Sequence, residues 1–279
     1  PMEFDVLGIP KRPFTAEDTI SVAGYLAYSF AAAFRTEPLL TYVRDQLGND
    51  YLKVFDLDWQ PKGALNLAAG DWKDLGAIAQ LSEQALADNG LPQFEGSNAW
   101  AISGSHTKSG KPLLAGDPHI RFSVPSVWYE AQLSAPGFEL YGYHNALVPV
   151  AFLGHNKDFG WSLTMFQNDD LDLIAEKVNP DNPNQVWYHD KWVDMTSSEQ
   201  QIAVKGQDPV TLTLRSSPHG PIINDVLGEN AGKTPIAMWW AFLDTENPIL
   251  DGFYQLNRAD TLARRLDLGR RRPGLGSSS

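Results

Sequence analysis

The chain has 279 residues, 43% hydrophobic and 20% charged, a composition that supports a sizeable core and excludes a disordered chain. Its net charge of −12 excludes the basic footprint that a nucleic-acid partner requires, the only basic cluster being Arg270-Arg271-Arg272. With no cysteine there is neither a disulfide framework nor a thiolate metal site, and no apolar run approaches the ~18 residues of a membrane span.

Phe4 to Pro13 is expected to be extended, with Pro10 and Pro13 blocking helix. Thr15-Ala16-Glu17-Asp18 reads as an N-cap with an acidic residue three positions later, a capping-box variant. Ile20, Val22, Tyr25, Leu26, Phe30 and Phe34 follow at helical spacing, which predicts a helix to about Arg35. A second helix is expected from Glu37 or Pro38 to Gln46, ended by Gly48-Asn49-Asp50, and a third from Leu75 to Asp88, closed by Asn89-Gly90. Residues 57–71, with Pro61, Gly63 and Gly70, read as a loop.

From Ser97 onward the texture changes to short apolar or alternating runs, at 99–103, 124–133, 138–144, 150–153, 160–166, 171–178, 201–204, 210–215 and 235–242. Turn signals separate them at 109–112, 135–137, 179–183 and 218–221. Helices followed by many strands is an α+β order. The expected organisation is a helical region over 1–90, a spacer over 91–96, a strand-rich core over 97–267 and a low-complexity tail over 268–279.

The strand-rich part begins at Gly96-Ser97-Asn98. No base adjacent in sequence activates Ser97, and its plain reading is a serine before a strand. Cutting the Gly96–Ser97 bond would change its chemistry. The new α-amino group, with an unperturbed pKa of about 7.7–8.0, is suited to act as general base at neutral pH, so one residue would supply nucleophile and base. Asn98, by adjacency, is expected to help hold the new terminus. Asp117-Pro118-His119 reads on its own as a turn with a satisfied imidazole, and Asp169-Asp170-Leu171-Asp172 as a solvated acidic turn or a run of hard oxygen ligands of the kind Ca²⁺ takes. Ile120, Phe122, Leu153, Leu163 and Phe166 surround these motifs and would suit the wall of an acyl pocket, although singly each reads better as core. The nine tryptophans also read as core rather than as sugar-stacking surface.

Four blocks in order and spacing, Gly96-Ser97-Asn98, Gly116-Asp117-Pro118-His119, Gly154-His155-Asn156 through Trp161-Ser162-Leu163-Thr164, and Asp169-Asp170-Leu171-Asp172, resemble the penicillin acylase family of N-terminal-nucleophile amidohydrolases. Fainter similarity runs from Phe4 to about Arg264. The resemblance implies a four-layer αββα sandwich, incomplete in this chain, and a precursor that cuts itself at Gly96–Ser97 into α and β chains. Ser97 would attack the linear amide of a small N-acyl substrate, such as an acyl-homoserine lactone or a β-lactam side chain, and pass through an ester acyl-enzyme. His119 would lie beside the serine and tune its amine. The backbone N–H of Met165 would be one oxyanion donor, the second being an asparagine side chain further along than this chain reaches. Loss of one such donor typically costs 10²–10³ in rate, so the chain as written is expected to be nearly inactive. A structural Ca²⁺ would be held by Asp169, the Leu171 carbonyl, Asp172 and Glu37. The chain opens on Pro1 and is read as an internal stretch of a periplasmic or secreted precursor. The rival readings are a non-catalytic, secreted, β-rich calcium- or carbohydrate-binding module, and an inactive truncated pseudoenzyme.

Overall fold

Helix gives way to strand along the chain in the computed structural model, which describes residues 2–30, 33–55, 72–88, 94–120, 122–124, 126–165, 170–244 and 248–260. The first helices are α1 (Met2–Leu7), α2 (Ala16–Phe30), α3 (Ala33–Tyr42) and α4 (Trp72–Asp88). Six strands follow: β1 (Phe94–Ile102), β2 (Leu113–Ile120), β3 (Tyr129–Ala135), β4 (Phe138–His144), β5 (Leu153–His155) and β6 (Gly160–Trp161). Eight more are β7 (Leu171–Ala175), β8 (Val178–Asn179), β9 (Asn182–Tyr188), β10 (Lys191–Asp194), β11 (Thr196–Ile202), β12 (Val210–Ser217), β13 (Gly220–Pro221) and β14 (Ile236–Trp240). Helices α5 (Ala241–Asp244) and α6 (Ile249–Arg258) close the described chain. Phe166, Asp169, the loop expected over 57–71 and the tail over 268–279 lie outside the described residues.

Several elements differ from expectation. The start of the chain is not extended throughout, since α1 occupies Met2–Leu7. Pro10 and Pro13 restrict only themselves and the residue before each, which leaves this first turn free. The second helix begins at Ala33 rather than at Glu37 or Pro38, so Pro38 sits inside it, and a π-helical turn over Val43–Leu47 carries the chain to Gly48. The Asp-Pro-His segment is strand, not turn. Hairpin β9–β10 and helix α6 have no counterpart in the sequence reading.

The chain forms two compact units, one of Pro1–Phe30, Pro92–Phe166 and Pro248–Ser279, the other of Ala31–Leu91 and Gln167–Asn247. In the first, the Asp18-to-Thr15 half of the capping box at the start of α2 is made. The Asp18 carboxylate accepts the Thr15 N–H at 2.7 Å and pairs with Arg12 at 2.6 Å. Val22 and Leu26, one helical turn apart on α2, and Leu250 and Phe253 on α6 pack on a core of Val148, Val150, Phe152 and Leu153. A neighbouring cluster of Leu140, Ala151 and Trp161 takes Leu256 from α6. Buried Asn257 fastens that helix, its Oδ1 accepting the Ala151 N–H at 2.8 Å and its Nδ2 donating to the Ala151 carbonyl at 3.0 Å. The Asn156 amide donates to the carbonyls of Asn257 and Ala259, satisfying acceptors that the helix end leaves open.

Strands β3-β4-β5-β6 form one antiparallel sheet, and β1 and β2 a separate antiparallel ribbon. The ribbon packs closely over the end of the sheet because it carries glycine there. A Cβ on Gly116 would lie 2.5 Å from Ser162 Oγ and 3.4 Å from Leu153 Cδ2. Gly160 likewise admits the Leu114 side chain.

In the second unit β7 pairs with β14 and buries Leu171, Leu173, Ile236 and Ala237, with α3 packed against both β7 and α4. The Asp74 carboxylate of α4 accepts from Gly232 N–H at 2.6 Å and from the Asn224 amide at 3.1 Å. Among the described residues no helix is long and apolar enough to cross a membrane.

Candidate active site

The Gly96–Ser97 bond lies inside β1. The ladder with β2 slips between Phe94 and Gly96, a bulge-like irregularity one residue before that bond, and then runs regularly with Gly96 opposite His119, Ser97 opposite Pro118 and Asn98 opposite Asp117. Successive residues of a strand point to opposite faces, so this register sorts the motif residues by face. Asn98, Asp117 and His119 share one face with Gly96. The Ser97 side chain points to the other.

On its own face the half-buried Ser97 meets the segment that leaves β6. Trp161 is 2% exposed, and its indole N–H donates to the Ala151 carbonyl at 3.3 Å, which anchors the start of Ser162-Leu163-Thr164-Met165. Four residues on, the Met165 backbone N–H donates to Ser97 Oγ at 3.1 Å. The Ser97 hydroxyl donates to Thr164 Oγ1 at 3.0 Å, and the Thr164 hydroxyl donates to the Ser97 carbonyl at 3.2 Å. Pro118, opposite Ser97, has no N–H to offer across the ladder, and the threonine hydroxyl supplies a donor to that carbonyl. A tetrahedral oxyanion forms on the carbon bonded to the attacking oxygen. A backbone donor already within reach of Ser97 Oγ is therefore close to where such charge would develop.

On the opposite face His119 Nε2 lies 2.8 Å from Asp117 Oδ2 and 3.3 Å from Asn98 Nδ2. Hydrogen bonding from His119, with a smaller contribution from Asn98, holds the Asp117 carboxyl below its usual range. A Cβ built on Gly96 would lie 3.6 Å from His119 Nδ1. The imidazole therefore neighbours the residue before Ser97, and it faces away from the serine hydroxyl.

Of the apolar residues, Leu153 is 5% exposed within the core, Ile120 is half-buried at the end of β2, and Leu163 is exposed. Phe122 is fully exposed, so the structure does not bring it to Leu153. In the second unit Leu171 opens β7, buried, with Asp172 next to it and exposed. Glu37 of α3 accepts the Leu173 backbone N–H at 3.1 Å, which brings its carboxylate to within one residue of Asp172. Among the described residues no group of three or more His, Cys, Asp or Glu is clustered for a metal, Asp169 lying outside them.

Two contacts of these motifs were not anticipated. The sequence assigns Thr164 no role, because its reach to Ser97 is a tertiary contact. Asp117 is hidden in a segment whose local pattern reads as a turn. Once 113–120 is a strand, the i, i+2 spacing of Asp117 and His119 puts the two side chains on one face.

The family profile described as penicillin amidase matches residues 1–268. Acyl-homoserine lactone acylase QuiP of Pseudomonas aeruginosa is 26% identical over 97% of this chain and 34% of its own length. Penicillin G acylase of Escherichia coli is 32% identical over 60% of this chain and 20% of its own length. The fold is similar to that of the thermostable penicillin G acylase from Alcaligenes faecalis, with a TM-score of 0.50 and 22% identity over 61% of this chain and 30% of that one. The chain spans about a third, or less, of the length of these relatives. A match that runs from the first helix through the Ser97 ribbon to the end of the described residues is one of whole sequence rather than of an isolated motif: the chain belongs to the penicillin amidase family.

Proposed function

We propose that this chain is the nucleophile-bearing part of an amidohydrolase precursor that cuts itself between Gly96 and Ser97. In that step Ser97 Oγ bonds to the Gly96 carbonyl carbon, the Gly96–Ser97 C–N bond breaks, and the departing nitrogen takes up the proton that the hydroxyl gives off. Water then hydrolyses the Gly96 ester, leaving Ser97 with a free amine and hydroxyl. The mature residue attacks the linear amide of an N-acyl compound with its own amine as base, releases the substrate amine, and returns through a second ester hydrolysis.

The observation that carries this reading is the Met165 backbone N–H at 3.1 Å from Ser97 Oγ, a preorganised donor beside the proposed nucleophile. The acyl-homoserine lactone and penicillin G acylases among the relatives support a substrate with an acyl group on an amide nitrogen. A periplasmic or secreted setting is compatible with a chain free of cysteine. Ca²⁺ is the proposed structural cation. Glu37, which accepts the Leu173 N–H, and Asp172, the residue before Leu173, are two of its proposed carboxylates, and hard oxygen donors of this kind suit it.

Intact mass and N-terminal sequencing of the protein expressed as its full precursor, beside Ser97→Ala, test the reading. The expected result is two chains from the parent, one beginning Ser97-Asn98-Ala99, and one chain from the variant. A single uncut chain from both overturns the mechanism.

A further inference from the structure

The face of the β1–β2 ribbon away from the Ser97 hydroxyl carries an ordered polar array that self-cleavage by the serine does not itself require. Asp117 is its centre. Its carboxylate lies 2.8 Å from His119 Nε2, and Asn98 is its cross-strand neighbour. A carboxylate only accepts, so a bond of that length requires the proton to sit on Nε2. With Nε2–H pointed at Asp117, that nitrogen cannot accept from Asn98. The Asn98 amide at 3.3 Å is then a neighbour of Nε2 rather than a donor to it. The other ring nitrogen, Nδ1, faces Gly96, 3.6 Å from where a Cβ there would stand.

We propose that Asp117 is a positioning residue, which holds the His119 imidazole as its Nε2–H tautomer and leaves Nδ1 bare toward Gly96. The consequence rests on the proposed self-cleavage. Removal of Gly96 would open the space in front of Nδ1 next to the new Ser97 amine. A bare Nδ1 accepts an amine N–H, which orients the amine and leaves its lone pair free for the serine proton. The Nδ1–H tautomer would present a donor instead and compete for that same lone pair. The arrangement differs from a serine triad in its order of contacts, because the imidazole would act on the amine and not on the hydroxyl.

The tautomer is read directly from the ring nitrogens in a long-range ¹H–¹⁵N correlation spectrum of the ¹⁵N-labelled Ser97→Ala protein at pH 8, with His119 assigned by the signals lost in Ser97→Ala/His119→Gln. The expected spectrum shows a protonated, slowly exchanging Nε2 and an unprotonated Nδ1 for His119. Asp117→Ala in the same background should lose the slow exchange and gain a population of the Nδ1–H tautomer, with its melting temperature within a degree or two because both side chains are about half exposed. Asp117→Glu should restore part of the effect. A His119 protonated on Nδ1, or on both nitrogens, overturns the assignment, as does a spectrum indifferent to Asp117→Ala. Ser97→Ala cannot cut or turn over, so these outcomes are independent of whether Ser97 is the nucleophile.

Discussion

Ser97 and Thr164 hold each other at two points, the Ser97 hydroxyl donating to Thr164 Oγ1 at 3.0 Å and the Thr164 hydroxyl donating to the Ser97 carbonyl at 3.2 Å. The first contact fixes the rotamer of the proposed nucleophile. The second ties down the backbone on the C-terminal side of the proposed scissile bond. One threonine therefore orders both the Ser97 hydroxyl and the peptide that follows it.

Thr164→Val keeps the shape of the side chain and deletes both contacts. At about 1 kcal/mol for each neutral hydrogen bond, the loss corresponds to roughly 30-fold slower appearance of the chain beginning at Ser97, if both contacts persist as the bond is cut. Thr164→Ser, which retains the hydroxyl, should stay within a few-fold of the parent. The time course is followed by intact mass. A Thr164→Val protein that processes at the parental rate removes the threonine from any positioning role.

Gly116 of the ribbon comes close to Ser162, just after β6, and the pair gives a test of packing. A Cβ on Gly116 would stand 2.5 Å from Ser162 Oγ, an atom that is buried and has no hydrogen-bond partner among the described residues. Gly116→Ala should destabilise by about 1–3 kcal/mol through overpacking. Ser162→Ala alone should be neutral or slightly stabilising, because it removes an unsatisfied buried hydroxyl. Combined, the two changes should cost less than their sum, a coupling that a double-mutant cycle in denaturant measures directly. Strict additivity would show that the two side chains do not meet.

The order of helix and strand, the turn at 135–137 and strand β4 were legible in local pattern, since each depends on propensity, capping or alternation within a few residues. The capping box was legible for the same reason, Thr15 and Asp18 being three apart. Helix α6 carries a usable signal in Leu250, Phe253 and Leu256, spaced to share one helix face. The site was legible as a set of motif residues, not as an arrangement. Which face of the ribbon each residue takes follows from the register of β1 on β2, and Ser97 with His119 one step out of register is a relationship that no spacing along a single chain encodes. The contact of Glu37 with β7 spans more than a hundred residues and is equally invisible to periodicity.

Asn257 gives a direct measure of what holds α6 in place. Its side chain satisfies both the N–H and the carbonyl of buried Ala151. Asn257→Ala leaves the Ala151 N–H without its partner and the carbonyl with the Trp161 indole alone, and at about 1–3 kcal/mol for one orphaned buried group the expected loss in urea unfolding is of that size. Asn257→Asp keeps the acceptor for Ala151 N–H but sets a second acceptor against the Ala151 carbonyl, so it should not rescue. An Asn257→Ala protein within 0.5 kcal/mol, roughly the scatter of surface substitutions, would show that water replaces the amide at this position.

Glu37 and Asp172 set the test for Ca²⁺. If the cation binds at the start of β7 with Glu37 among its ligands, millimolar CaCl₂ added after EDTA should raise the melting temperature, the gain growing with the logarithm of concentration above the dissociation constant. Glu37→Gln should reduce that gain, and Asp172→Asn should do the same. Mg²⁺ should substitute poorly, because it demands a tighter octahedral shell. A melting temperature indifferent to Ca²⁺ in the full precursor would exclude the site.

Asp18 sets the pH dependence of the α2 N-terminus. Hydrogen bonding from Arg12, then from the Thr15 N–H, holds its carboxyl well below the usual carboxylate range. A folded-state pKa below the unfolded value of about 3.9 means that the charged form stabilises the folded chain at every pH above that value. As pH falls below about 4 the unfolded chain takes up a proton that the folded chain resists, and the contribution is lost progressively toward the folded pKa. The stability difference between the parent and Asp18→Asn should accordingly be flat from about pH 5 to 7 and shrink below pH 4, as read from urea midpoints across that range. The effect should also weaken with added salt, since the Arg12 side chain of the pair is largely exposed. A difference that grows as pH falls would reverse the sign of the linkage and show that Asp18 is stabilised in its protonated form.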